Sequence, residues 1–137
     1  MADCQSKIER IRTVTAKSGN IGPYAIFAGK TLVGLIGAPW ISAHEYSLYY
    51  HFGKEYWGRG YATEAAKAII AFVFQIPETI RISADTLTTN HASARVLEKV
   101  GMTYEGCLRM KFLRNGIFGA LNQYSILLRE YEHIREQ

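Results

Sequence analysis

Two glycines one residue apart, Gly58 and Gly60 in the run Trp57-Gly58-Arg59-Gly60-Tyr61, open onto Ala62-Thr63-Glu64-Ala65-Ala66, the start of an alanine-rich amphipathic stretch. Lacking a Cβ, glycine reaches backbone angles closed to other residues and lets a ligand approach the main chain. A helix that follows such a turn presents N–H groups without intrahelical partners and a partial positive charge. The combination is an anion site, and a phosphate or pyrophosphate is its natural guest. Three phosphate motifs compete for it, and spacing separates them. A dinucleotide fingerprint requires a third Gly or Ala at position 63, which is Thr63, and an acidic ribose ligand about 20 residues on. A P-loop at Gly29-Lys30-Thr31 requires its first glycine where Tyr24 stands, and a strand pattern rather than a helix follows it. A strand, a Gly-x-Gly turn and an Ala-rich helix are what remain.

The elements that position this turn follow from periodicity. Ile8, Ile11 and Val14 recur at helical spacing, which predicts a short amphipathic helix over residues 4–17 ending near Ser18-Gly19-Asn20. Tyr24 to Phe27, Leu32 to Ala38 and Tyr46 to Phe52 read as strands of an antiparallel meander. From Tyr61 the period becomes 3.6, with Ala62, Ala65, Ala66, Ile69, Ile70 and Val73 on one face and Pro77 closing the segment. Ile80 to Thr86 alternates as a strand. Asn90 then caps a helix that turns Val96, Leu97 and Val100 inward and stops at Gly101. Met102 to Leu113 and Ile117 to Leu128 are two long strands joined by Asn115-Gly116, the strongest hairpin signal in the chain. The order β-β-β-α-β-α-β-β predicts an α/β fold whose sheet is part parallel and part antiparallel. No linker or repeat interrupts it, so residues 1–137 are expected to form one domain.

Composition sets outer limits. With 137 residues, 48% of them hydrophobic and 20% charged, the chain can bury a core without staples. Cys4 and Cys107 lack metal or redox spacing and are read as reduced thiols, which places the protein in the cytoplasm. No run approaches the roughly 18 apolar residues a membrane span needs. A formal charge of +4 would suit nucleic acid, but the basic residues are interleaved with acids. Neither a nucleic-acid nor a membrane partner is therefore expected. His44, His51, His91 and His133 show no ligand pattern, and no metal is expected.

The turn and helix resemble the acetyl-CoA-binding motif of the GNAT superfamily of N-acetyltransferases. The stretch Asn90-His91-Ala92-Ser93-Ala94-Arg95-Val96-Leu97-Glu98-Lys99-Val100-Gly101-Met102, followed by Tyr104-Glu105-Gly106, is similar to the Rim-type branch, whose best-known members acetylate N-termini of ribosomal proteins. The resemblance runs from about Tyr24 to Tyr131. It implies a central mixed sheet flanked by helices and transfer of an acetyl group from acetyl-CoA to a primary amine, on a protein N-terminus or a small molecule, by direct attack. The cofactor's pyrophosphate would rest on the backbone of Gly58, Arg59, Gly60, Tyr61, Ala62 and Thr63. Its pantetheine arm would pair beside Phe52 and Gly53, and Asn90 would hold it. Many superfamily members use a tyrosine proton donor that aligns here with Leu97. The Rim-type branch uses a serine three residues after the Asn, and Ser93 matches.

The chain also departs from the pattern. Acidic positions of the branch align with Ser47, near Phe112 and with Ala120, so no general base is assigned; Glu45, His51, Asp85 and Tyr124 are the nearest substitutes. Glu55 stands where a Gln or Arg is usual. The stretch ahead of Tyr24 is shorter than the extra strand and helical pair that family members carry, which help to wall the acceptor. An open site, completion by a second copy in a homodimer, or a truncated gene product would follow. The competing function is a CoA-binding or protein-interaction module without catalysis.

Overall fold

The computed structural model describes residues 10–13 and 19–136. Among the described residues eight strands form one sheet: β1 (Arg10–Thr13), β2 (Ile21–Ala28), β3 (Thr31–Ala38), β4 (Trp40–Ser42), β5 (Glu45–Phe52), β6 (Arg81–Leu87), β7 (Thr103–Arg114) and β8 (Ile117–Leu127). Their spatial order is β1-β2-β3-β5-β6-β8-β7, with short β4 also pairing with β5. Helices α1 (Tyr61–Val73) and α2 (His91–Lys99) link β5 to β6 and β6 to β7, and α3 (Leu128–Arg135) follows β8. Among the described residues only β5 and β6 run parallel, because α1 carries the chain back to the start of the sheet between them.

The meander forms as the sequence predicts, and the core lies between it and α1. Ala65, Ala66, Ile69, Ile70 and Val73 are buried on α1 against Ile26, Val33, Ile36, Leu48 and Ile82 of the sheet. The small alanines let the helix approach closely, and burying each large aliphatic side chain stabilises the fold by about 1.5–3 kcal/mol. On the uncovered face Leu35 and Tyr49 remain exposed. Glycine backs an aromatic ring in three cross-strand places, Gly34 under Phe52, Gly37 under Tyr49 and Gly119 under Phe112, where a Cβ would collide with the ring.

Two expectations are corrected. Residues 10–13 are not helical but form β1, antiparallel to β2 with Arg10 opposite Phe27 and Thr13 opposite Tyr24; the rest of the 4–17 range lies outside the described residues. Ile11 and Thr13 are β-branched, and the open edge of β2 offered residues 10–13 hydrogen bonds that a short isolated helix could not match. The leading strand expected to be missing is therefore present. The last strand also stops one residue early, giving way to α3, where Glu130 Oε1 accepts the Leu127 N–H at 2.9 Å and Tyr131 stacks on Phe74 at 5.2 Å.

Candidate active site

The parallel pair β5–β6 is zipped only at one end. Its register runs from Glu45 opposite Arg81 to Leu48 opposite Ala84 and stops there. Beyond that point Tyr49 to Phe52 pair with β3, and Asp85 to Leu87 pair with β8, so the two strands part toward their carboxyl ends. The zipped end is clamped. Arg81 donates two hydrogen bonds to Glu105 of β7, at 2.7 and 2.9 Å, and its Nε lies 3.2 Å from Glu45. The Glu105 hydrogen bond is the main reason the guanidinium holds its proton more tightly than usual, and the Glu105 carboxyl is correspondingly lowered.

A cavity of about 610 Å³ fills the opening, within the range of small-molecule sites. Its lining includes Gly58, Gly60, Tyr61, Ala62 and Thr63 together with Asn90 and Ser93. Gly58 has φ +78° and Gly60 φ +84°, both in the left-handed region that favours glycine, and a Cβ on Gly58 would meet no heavy atom within 4 Å. The first hydrogen bond of α1 is donated by Glu64 N–H to the Gly60 carbonyl at 3.0 Å. The N–H groups of Tyr61, Ala62 and Thr63 precede it, and no side chain caps the helix. These donors, converging on open space at the positive end of a 13-residue helix, fit an anionic phosphate group.

Phe52 also lines the cavity, whereas Gly53 and Arg59 do not. The Gly53 N–H points away from the opening and bonds the Val33 carbonyl at 3.2 Å. Because amide direction alternates along a strand, the N–H and carbonyl of Phe52 face the opposite way, into the gap. The Trp57 indole confirms that direction by donating to the Phe52 carbonyl at 2.9 Å. Arg59 lies over the Tyr56 ring, 5.8 Å from its centroid.

At the start of α2 the Asn90 side chain accepts the Ser93 N–H at 3.0 Å, the capping bond read from the sequence. Ser93 has a second partner that the sequence reading missed. The Tyr50 hydroxyl lies 3.0 Å from Ser93 Oγ and 3.2 Å from the Ser93 carbonyl oxygen. Burial pushes the Tyr50 phenol above the ordinary tyrosine range, and its bond with Ser93 offsets part of that rise. The signal was present in the strand alternation, since Tyr50 shares its face with Leu48 and Phe52 and so must look toward the helices.

The substitutes for a general base separate cleanly. Glu45 is committed to Arg81 at the zipped end, and buried Tyr124 packs edge-on against Tyr104 at 5.5 Å. Burial first, then the nearby Glu98, raises the Tyr124 phenol and keeps it neutral. His51 and Asp85 both line the cavity, and Gln123 Nε2 donates to Asp85 Oδ1 at 3.2 Å. At the positions where the branch carries acids, Ser47 N–H bonds the Pro39 carbonyl at 3.0 Å and the Phe112 ring covers Gly119. No group of three or more metal-ligating side chains occurs among the described residues, and no helix there is long and apolar enough to cross a membrane.

A mixed sheet whose parallel pair opens onto an uncapped helix N-terminus defines the GNAT class of acyltransferase folds. Residues 1–103 match the acetyltransferase (GNAT) domain family, and the chain belongs to that family. It is 33% identical over 100 residues to an uncharacterized N-acetyltransferase, YoaA, of Bacillus subtilis, an alignment covering 72% of this chain and 56% of that protein. The chain thus spans about half the length of the curated relatives it matches. A GNAT-family acetyltransferase structure from Bacillus anthracis is 31% identical with a TM-score of 0.69, covering 80% of this chain and 66% of that one. A ribosomal alpha-N-protein acetyltransferase in complex with coenzyme A shares the fold at 20% identity and TM-score 0.74, covering 82% of this chain and 64% of that one.

Proposed function

We propose that this protein is an acetyl-CoA-dependent N-acetyltransferase acting on a primary amine, either a protein N-terminus or a small molecule, by direct attack on the thioester. The observation that carries this reading is one cavity lined both by the proposed phosphate seat at Gly58 to Thr63 and by the parted ends of β5 and β6. In this reading the amides of Gly58, Arg59, Gly60, Tyr61, Ala62 and Thr63 would hold the pyrophosphate. The arm would lie along β5 at Phe52, with Asn90 across from it, while Gly53, whose N–H is turned to Val33, would not pair with it. Acetyl-CoA supplies the activated acyl group. The Phe52 N–H, facing the gap, would polarise the carbonyl that is attacked, as backbone donors do for developing oxyanions. Among the described residues Asp85 is the one carboxylate lining the cavity, so Asp85, oriented by Gln123, would take the proton shed by the amine, with His51 the other candidate. Ser93 would return a proton to the departing thiolate.

The reading also places the protein in the cytoplasm. A homodimer is supported by β7, an edge strand whose hairpin with β8 exposes Met110, Leu113, Ile117 and Phe118. A second reading, CoA binding without turnover, is favoured by Ser47, Phe112 and Ala120, none of which offers a carboxylate to accept a proton from an amine. Two measurements separate them. Titration calorimetry is expected to show saturable CoA binding that is lost in Gly60→Trp. Thiol release should follow when amines and N-terminal peptides are added with acetyl-CoA. Binding without release on any acceptor would leave the module reading standing, and absence of binding would sink both.

A further inference from the structure

Tyr50 enters the cavity two residues beyond Leu48, the last residue of β5 paired with β6, and its hydroxyl reaches across to the first turn of α2. There it meets two acceptors on the same residue, the Ser93 carbonyl oxygen at 3.2 Å and Ser93 Oγ at 3.0 Å. A phenol has one proton and cannot serve both. With that proton on the carbonyl, the Ser93 hydroxyl donates to the phenol oxygen and is tied up. With it turned onto Oγ, the serine's own proton is released to point elsewhere. The cavity is where it can point, since Ser93 lines it and its N–H is already committed to Asn90. A lone serine hydroxyl is a poor acid, because the alkoxide it leaves behind is strongly basic. A serine backed by a phenol is not left with that charge.

We infer that Tyr50 and Ser93 form a two-hydroxyl proton relay, in which Tyr50 acts through Ser93 as a positioning residue and as the source of the proton. The inference rests on the acetyl-transfer reading above. As the carbon–sulfur bond breaks, its electron pair goes to sulfur. The Ser93 O–H bond breaks and an S–H bond forms, while the Tyr50 proton moves to Ser93 Oγ and restores the serine. The attacking nitrogen sheds one proton on becoming an amide; Asp85 takes it and gives it up to solvent, and solvent returns a proton to the phenolate left on Tyr50. Amine and thioester give amide and thiol with no other reactant. The neutral phenol favoured by burial is the form that the relay needs at rest.

The test compares wild type, Tyr50→Phe, Ser93→Ala and the double variant, all on the full chain, by thiol release at saturating acetyl-CoA and amine, with CoA affinity measured separately by calorimetry. Tyr50→Phe keeps the ring and is expected to lower kcat by about 10²-fold, the low end of general-acid contributions, while CoA affinity stays within about twofold. The double variant should be no slower than Ser93→Ala by more than about threefold, because the two hydroxyls act as one unit. In mixtures of light and heavy water the wild-type rate should bend downward with isotope fraction, reporting two protons in flight, and become linear in either single variant. Wild-type kcat in Tyr50→Phe, multiplicative losses in the double variant, or a curvature unchanged by either substitution would overturn the relay alone. So would a loss confined to CoA affinity, which would make the Tyr50–Ser93 contact a strut. Absence of thiol release from the wild type with every acceptor would instead overturn the acetyl-transfer reading, and the relay with it.

Discussion

Gly58→Ala offers a sharp test of the phosphate seat because the structure separates its two costs. No heavy atom lies within 4 Å of the added Cβ, so the methyl group meets no steric penalty from neighbours. What remains is the backbone: at φ +78° a residue with a Cβ is about 1–2 kcal/mol worse than glycine. The turn can absorb that strain or relax out of the left-handed region. If it relaxes, its amides rotate away from the cavity, and 1–2 kcal/mol corresponds to a loss of about 5- to 30-fold in affinity. If it holds, thermal stability falls instead by the same energy. Calorimetry with CoA and a melting curve on the same sample capture both channels, whose sum is expected to fall within that range. Two controls sharpen the reading. Gly58→Asn should recover much of the loss, since asparagine tolerates the left-handed region. Pantetheine, which has no pyrophosphate, should bind the alanine variant and the wild type alike. Equal losses for CoA and pantetheine, or a Gly58→Val variant that binds CoA like the wild type, would refute the assignment of this turn to the phosphates.

Gly101→Ala should be destabilising for a related reason, since Gly101 sits at φ +100° where α2 ends, and its Cβ would lie 2.6 Å from Ile134 Cδ1. Ile134 is 44% exposed and can swing aside, so the backbone term should dominate and the loss of stability should be about 1–2 kcal/mol by denaturant titration. Glu105→Gln removes one arm of the Arg81 clamp at a partly exposed site, and should cost no more than about 1 kcal/mol at neutral pH. Because the folded Glu105 carboxyl is lowered, its contribution is present above the unfolded carboxyl's pKa and is lost as pH falls through the folded value. A series of melting temperatures from pH 7 downward should therefore show a shallower acid-side decline in the glutamine variant than in the wild type, and parallel curves would contradict the ion-pair assignment.

The strong periodic segments were legible in the sequence because their burial is one-sided and local. The 3.6-residue repeat from Ala62 to Val73 became α1, and Asn115-Gly116 became the β7–β8 turn. Residues 10–13 misled because apolar spacing alone cannot tell a short helix from a strand, and the deciding factor was a free edge on β2, which is a tertiary fact. α3 was hidden by its charge: its register is set by Glu130 reaching back to the Leu127 amide and by one ring stacked on Phe74. At the site, the Gly-x-Gly turn and the Asn90 cap could be read because they are motifs of consecutive residues. Tyr50 could not be matched to Ser93, since the two are 43 positions apart and meet only because β5 and β6 part after Leu48. The commitment of Glu45 to Arg81 escaped for the same reason, as did the turning of the Gly53 amide toward Val33.

The seat at the start of α1 is built from amides, and amides are common to every residue but proline. A pocket of that kind is nearly blind to side-chain identity: beyond the two glycines, drift at positions 59 and 61–63 would leave its array of N–H donors in place. The walls farther along, where His51, Asp85 and Ser93 stand, have no such immunity, because there each change alters the side chains that the cavity presents. Divergence would therefore accumulate unevenly in such a molecule. Relatives as distant as 33% identity could keep the same backbone turn while differing in the side chains beyond it.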